Sequence, residues 1–338
     1  MGAKSSSLLI RTPSVSILVD PGAAEMQPSY PLPHEEKARL REEALLKIKE
    51  ASKRAELVFI SHYHYDHHTL PHEAPELYDG KELWIKNPNM WINRSQWNRA
   101  RLFLSELSTF LGRRVGMDKP SPISFEDPVS KLELALSRDY GSYRERKEEL
   151  MEKGRRWLKD LFSLWRRGPW VYEGDGIFFA DGRRIRKGST DIRFTEPLFH
   201  GSEYDRVGWV LALVVEHGGK KILYTSDIQG PIIEDYAIWI ISENPDLLIL
   251  DGPPTYLLGY MLNMTNLTRA IENGRKILSL KSPIIYDHHP LREPLYMERL
   301  KPLYDESKRR EEFFGTASEI LGESPLILKI KKHYNLLG

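Results

Sequence analysis

Glu56-Leu57-Val58-Phe59-Ile60-Ser61-His62-Tyr63-His64-Tyr65-Asp66-His67-His68 is the stretch on which the reading of this chain turns. Residues 56–61 form a short apolar run, the pattern of a strand buried on both faces. The histidines begin where that strand must end. Five of the eleven histidines of the chain fall between His62 and His72. His62 and His64 alternate with Tyr63, so extended backbone projects them to one face. Asp66 and His67 follow in the turn and reach a second point. The chain has no cysteine; this excludes disulfides, thiolate ligands and a cysteine nucleophile. Any metal must therefore be held by imidazole and carboxylate, a donor set that suits Zn²⁺ first, with Mn²⁺ or Fe as alternatives.

The rest of the sequence sets the frame. At 338 residues with a 41% hydrophobic share, the chain can fill one large α/β domain. Lys and Arg (49) nearly balance Asp and Glu (48), so bulk charge gives no sign of a nucleic-acid coat or a membrane-binding face. No run approaches the roughly 18 apolar residues of a membrane span, and no secretory signal is visible at the start. A cytoplasmic location is the expectation.

Periodicity predicts strands over 7–11, 15–20, 56–61 and 82–86, with a helix over 33–55. Strands resume at 176–180 and continue over 191–195, 207–216 and 221–225, the last two joined at Gly218-Gly219 as a hairpin. Helices over 232–242 and 262–278 lead into strands at 247–250 and 283–286, and 325–329 reads as a final strand. Between them, residues 91–170 change character and read as a helical insertion or lid within a single domain spanning 1–338. Between Arg94 and Arg167 there are 17 basic and 11 acidic residues. Arg94, Trp97, Arg99, Arg101, Arg113 and Arg114 interleave aromatic and basic groups, as single-stranded nucleic-acid binders do. The bland reading, a solvated helix face whose tryptophans pack inward, is favoured over nucleic acid.

His-x-His-x-Asp-His after an apolar strand resembles the metallo-β-lactamase superfamily of metal-dependent hydrolases, and further motifs follow in order. Ile17-Leu18-Val19-Asp20-Pro21-Gly22 is similar to the first motif, Pro197-Leu198-Phe199-His200-Gly201 to the third, Tyr224-Thr225-Ser226-Asp227 to the fourth and Tyr286-Asp287-His288-His289 to the fifth. The resemblance covers residues 17 to 289. It is nearest to a branch of predicted metal-dependent hydrolases carrying Ser-His-Tyr-His-Tyr-Asp-His-His.

The resemblance implies a four-layer αββα sandwich with the metal centre at one edge. It implies that His62, His64 and His200 hold one divalent metal, that Asp66, His67 and His288 hold another, and that Asp227 bridges them. Asp20 would support the ligands from behind. Strand alternation admits only one of His288 and His289 to the centre; His288 is preferred, which leaves His289 to move protons or bind substrate. Two such cations generate hydroxide at neutral pH. Asp66, Asp227 and His289 are accordingly the expected catalytic residues. His68 and His72 are expected at the mouth or in solvent, and His34, His217 and His333 away from the site.

The leading expectation is hydrolysis by a metal-bound hydroxide, with a phosphodiester or phosphate ester slightly ahead of a lactone, ester or amide. A non-hydrolytic redox or sensor role is the reading from another class.

Overall fold

The computed structural model describes residues 1–121 and 125–337. Two sheets dominate it. The first runs in the order Leu8–Arg11, Ser16–Val19, Leu57–Ile60, Glu82–Ile85, Ile177–Phe179, and all its pairings after the opening hairpin are parallel. The second runs Phe314–Gly315, Ile284–Asp287, Leu247–Asp251, Lys220–Tyr224, Leu213–His217, Thr190–Phe194, Arg184–Lys187. It is parallel from Lys220–Tyr224 outward to Phe314–Gly315 and antiparallel on the other side.

Strand alternation sorts the apolar side chains into two interiors. Ile17, Val19, Leu57, Phe59 and Trp84 of the first sheet meet Ile192, Phe194, Leu213, Val215, Ile249 and Ile285 of the second. Phe59 packs on Phe194 at 4.9 Å and Trp84 on Phe194 at 5.4 Å between ring centroids, so one aromatic stack spans the seam. The intervening residues, Val58, Ile60, Leu248, Leu250 and Ile284, point outward and are buried with Leu45, Ile48, Ala237, Ile240 and Ile277 of the helices His34–Ser52, Glu234–Glu243 and Met264–Ile277. Helix, sheet, sheet, helix is the αββα order, the metallo-β-lactamase fold. It explains why Leu57–Ile60 is buried at every position.

Most predicted elements are present within a residue or two, including the two-residue hairpin at Gly218-Gly219, where both glycines adopt positive φ. Three departures are instructive. The strand expected over 207–216 is two strands, Trp209–Val210 and Leu213–His217, because Leu211 N donates across the seam to Ser61 O (3.2 Å) and Ala212 N donates to Thr195 Oγ1 (2.9 Å). The strand expected over 325–329 lies in the helix Leu326–Leu337: Ile327 and Ile330, three apart, are the buried pair, and a short apolar run fits either period. The strands Arg184–Lys187 and Phe314–Gly315 were not anticipated; both are sheet edges, where an apolar signal is weak.

Residues 91–170 contain the helices Arg94–Leu111 and Arg144–Arg167, and a small antiparallel pairing of Gly116–Asp118 with Trp170–Tyr172. Trp97, Ala100, Phe103, Leu104 and Leu107 are buried at helical spacing. Trp165 is fully buried, donates Nε1–H to Ile92 O (3.0 Å) and packs edge-on to Trp91 and Trp209, while Trp157 stacks on Trp209 at 5.6 Å. Arg101 lies over the Trp97 ring and binds Pro88 O and Pro169 O, so neither is free to stack on a base.

A buried ion network ties the second helix to the rest. Arg269, fully buried, pairs with Glu203 (2.7 Å) and Glu234 (2.6 Å), and Lys147 also reaches Glu203. Burial alone would raise the Glu203 carboxyl; Arg269 and then Lys147 override it and hold it at about 2.

Two expectations follow from this packing. Truncating Trp165→Ala removes a filled aromatic contact and an indole hydrogen bond, and should cost about 3–5 kcal/mol in a urea unfolding titration. The depressed Glu203 carboxyl stabilises the fold fully above its unfolded value of about 4.3 and loses that contribution as pH falls toward about 2. The Glu203→Gln variant should therefore be markedly less stable than the native chain at pH 7, with the gap shrinking between pH 4.5 and 2.5; a gap independent of pH would contradict the assignment.

Candidate metal centre

Every element of the site sits at the carboxyl end of a strand, where open α/β sheets expose backbone and loops. From the first sheet, Asp20 follows Ser16–Val19 and Ser61 to His67 follow Leu57–Ile60. From the second, Asp227 follows Lys220–Tyr224, Asp251 ends its strand, and His288 and His289 follow Ile284–Asp287. His200 follows the short strand Leu198–Phe199.

The loop after Ile60 is a hydrogen-bonded turn, with His67 N and His68 N donating to His64 O (2.9 and 3.2 Å). Gly22 makes its position possible: a Cβ there would lie 2.4 Å from His67 N and His68 N, so only glycine lets the Asp20-Pro21-Gly22 segment approach. Tyr63 turns away from the site, donating to Lys86 O (2.6 Å), which sends His62 and His64 to the other side.

The centre is organised around Asp227. Its Oδ2 is approached by Nε2 of His67 (3.0 Å), His200 (3.3 Å), His62 (3.7 Å), His288 (3.7 Å) and His289 (3.9 Å). His62 Nε2 faces His64 Nδ1 at 3.0 Å. Ligand atoms fall into three groups, each within 4.8 Å: His62, His64, His200 and Asp227; Asp66, His67 and His288; and Asp227, His288 and His289. All these residues are buried except His64, which is partly exposed and marks the open side.

Hydrogen bonds behind the ligands fix which nitrogen is free. Asp20 accepts from Ser61 N (2.7 Å), Ser61 Oγ (2.6 Å), Tyr224 Oη (2.7 Å) and His67 Nδ1 (2.9 Å). The single Ser61 hydroxyl proton is thus spent on Asp20, so Ser61 Oγ accepts from His62 Nδ1 (3.0 Å) and from Ser226 Oγ (2.8 Å). His67 donates from Nδ1 to Asp20, and His62 carries its proton on Nδ1 and turns its Nε2 lone pair inward, as metal-binding imidazoles require. His288 Nδ1 faces Gly2 O (2.9 Å) and His289 Nδ1 faces Asp251 (2.8 and 2.9 Å), with the same consequence. The Gln229 side-chain amide meets His200 Nδ1 at 3.1 Å and sets that ring.

These residues fit a metal ion. His200 Nε2 and Asp227 Oδ1 are buried with no hydrogen-bond partner among the described residues, an expensive arrangement unless something cationic is held there. The charges agree. Burial, then the neighbouring imidazoles His67 and His64, push His62 well below its usual range. His67 goes the other way: burial opposes, but Asp227 and Asp20 hold it well above. Burial would raise Asp66, yet Lys4, His288 and Arg292 hold it well below.

Placement differs from expectation in two respects. His288 and His289 both turn Nε2 toward Asp227, although alternation would admit one. The strand stops at Asp287, and His288 takes φ 72°, breaking the alternation. His68 is not at the mouth: it is fully buried between Tyr63, Tyr65 and Phe103, and burial lowers its imidazole to about 3. His72 is exposed beside Glu106, His34 beside Glu25, and His217 meets Thr190; the side chain of His333 falls outside the described residues.

Sequence reasoning missed Asp251, Ser61, Gln229, Lys4 and Arg292. Asp251 ends an apolar strand as Asp227 follows one, a signal that was there to be used. Arg292 lies one short turn past His288. Lys4 had no signal, since only the fold brings residues 2–6 against the centre: Gly2 O and Ala3 O accept from His288 and Arg292, and Ser6 N donates to Asp66 O.

No family model matches the chain. Among solved structures it is similar to the metallo-β-lactamase fold protein YhfI from Bacillus subtilis, 15% identical, covering 92% of this chain and 88% of that one with a TM-score of 0.41. It is similar also to the short form of human tRNase Z, 12% identical over 84% and 85% of the chains with a TM-score of 0.33. Sequence relatives are closer. The UPF0282 protein MK0213 of Methanopyrus kandleri is 34% identical across 97% of this chain and 93% of its own length. The UPF0282 protein PH1002 of Pyrococcus horikoshii is 32% identical across 94% and 86%. With identity at that level along nearly the whole of both sequences, this chain belongs to the UPF0282 protein family.

Proposed function

We propose that the chain is a metal-dependent hydrolase acting on a phosphodiester or phosphate ester. The observation that carries this reading is the cage of five imidazole Nε2 atoms around one buried carboxylate oxygen of Asp227. His62, His64, His200 and Asp227 would hold one ion. The second position lies between Asp227, His67, Asp66 and His288. A divalent ion in the first position would supply an activated water and charge to stabilise an attacked oxygen.

The chain's own residues do the remainder. Asp20 and Asp251 fix the rings of His67 and His289 from their Nδ1 sides. His289 Nε2, buried and facing Asp227, is the atom to which we assign proton uptake. Arg99 is the cation of the open side: it lies 4.8 Å over the ring of Tyr65, which is 40% exposed, and binds Tyr63 O. A guanidinium in that place favours an anionic substrate. The segment 91–170 acts, in this reading, as a wall beside the centre, since Gln96 Oε1 accepts from Tyr63 N (3.1 Å).

Elemental analysis after incubation with Zn²⁺ or Mn²⁺ should find at least one ion per chain; none would sink the reading. His200→Ala should weaken the first position selectively, whereas Asp227→Ala should weaken both, read by chelator competition. With metal loaded, a nitrophenyl phosphodiester should be cleaved faster than a nitrophenyl ester, and Arg99→Ala should raise KM for the diester severalfold. Preference for the ester would move the assignment to lactones, esters or amides, and full metal occupancy with neither substrate cleaved would favour a redox or sensor role.

A further inference from the structure

The second metal position already has a cation in it. Arg292 Nη2 lies 2.8 Å from Asp66 Oδ2 and 2.8 Å from His288 Nε2. These atoms, 3.6 Å apart, are two that a second ion would use. His288 carries its proton on Nδ1, facing Gly2 O, so its Nε2 offers a single in-plane lone pair, and the guanidinium N–H takes it. One lone pair cannot serve both a guanidinium and a metal bond of about 2.0–2.1 Å.

Nothing about Arg292 looks accidental. The side chain is buried, Nε donates to Ala3 O (2.8 Å) and Nη1 donates to Tyr256 Oη (3.0 Å). The turn that carries it packs closely, because Gly252 leaves room for Pro290: a Cβ there would lie 2.2 Å from Pro290 Cγ. Lys4 adds a second cation 3.5 Å from the same Asp66 oxygen. In the first position the picture is the reverse. No lysine or arginine is hydrogen-bonded to the ligand atoms of His62, His64, His200 or Asp227 among the described residues, and two of those residues keep unpartnered polar atoms.

We propose that Arg292 is a resident occupant of the second cation position, competing with a second metal ion: the protein holds one ion tightly and sets a guanidinium where a binuclear centre would have its other ion. The inference rests on the metal-centre reading above and concerns only its second half. Charge explains the choice. Asp20, Asp66 and Asp227 are buried in one cluster, and a guanidinium tethered at three nitrogens balances it while presenting no open coordination site.

The test is a titration of the full chain, stripped with chelator, with Co²⁺ followed by its visible ligand-field absorption and with Zn²⁺ by calorimetry. The native protein should bind a first ion tightly and a second at least about tenfold more weakly. Arg292→Met should strengthen the second site about tenfold or more and leave the first unchanged, an effect of the size seen when groups behind metal ligands are altered. Tyr256→Phe removes one tether without touching Asp66 or His288 and should shift second-site affinity in the same direction by less, which keeps the question answerable if the Arg292 variant does not fold. Two ions bound equally tightly by the native chain, or a second-site affinity unmoved in both variants, overturns the proposal and leaves the first site standing. Failure of the native chain to bind any ion overturns the metal-centre reading, and this inference with it.

Discussion

One buried carboxylate oxygen governs this molecule. Asp227 Oδ2 gathers five imidazole nitrogens within 3.9 Å, drawn from three separate loops. An ionised carboxylate removed from water is expensive unless it is paired. Burial would raise the Asp227 carboxyl, and His67, His288 and His289 keep it well below the usual range instead. The loops that bring those rings in must therefore close on one point, and the two sheets that carry the loops must hold a fixed relation.

Asp20 supplies that relation. It leaves the first sheet in a left-handed backbone conformation, φ 44°, and accepts hydrogen bonds from Ser61 and His67 of its own half and from Tyr224 of the other. A single carboxylate thus fastens the seam at the edge that carries the imidazoles while the Phe59, Phe194 and Trp84 stack fills the interior behind it. The same hydrogen bonds that bind the sheets also fix the His67 ring from its Nδ1 side, so architecture and ligand chemistry share one set of atoms. Ser61 repeats the arrangement on a smaller scale, with its hydroxyl spent on Asp20 and its lone pairs facing His62 and Ser226.

The centre is asymmetric because its surroundings are. On the side of His62, His64 and His200 no lysine or arginine bonds a ligand atom among the described residues, and polar atoms are left unpartnered. On the side of Asp66 and His288 the neighbours are Arg292 and Lys4, delivered by the turn after the strand Ile284–Asp287 and by residues 2–6. Ligands of the same chemical type are thereby given different work by what stands behind them.

The amino-acid sequence by itself determined a good deal. The apolar run 57–60 followed by His62, His64, Asp66 and His67 marks a buried strand and a donor cluster, because periodicity and residue chemistry are local properties; Asp20, His200, Asp227, His288 and the two-sheet sandwich came from the resemblance of their motifs to the metallo-β-lactamase superfamily. What it could not decide depends on partners distant in the chain. His68 reads as a ligand-like surface histidine until Phe103, from a helix 35 residues on, is found to cover it. Residues 325–329 read as a final strand, and the burial of Ile327 with Ile330 places them in a helix instead. His289 joined His288 at the centre because the backbone at His288 turned left-handed, and periodicity carries no sign of φ. Arg292 and Lys4, 288 residues apart, meet at Asp66 only when the chain is folded. Local sequence names the donors; which of them face a metal and which face a neighbouring cation is set by long-range packing, since a lone pair is free or taken according to what the fold puts opposite it.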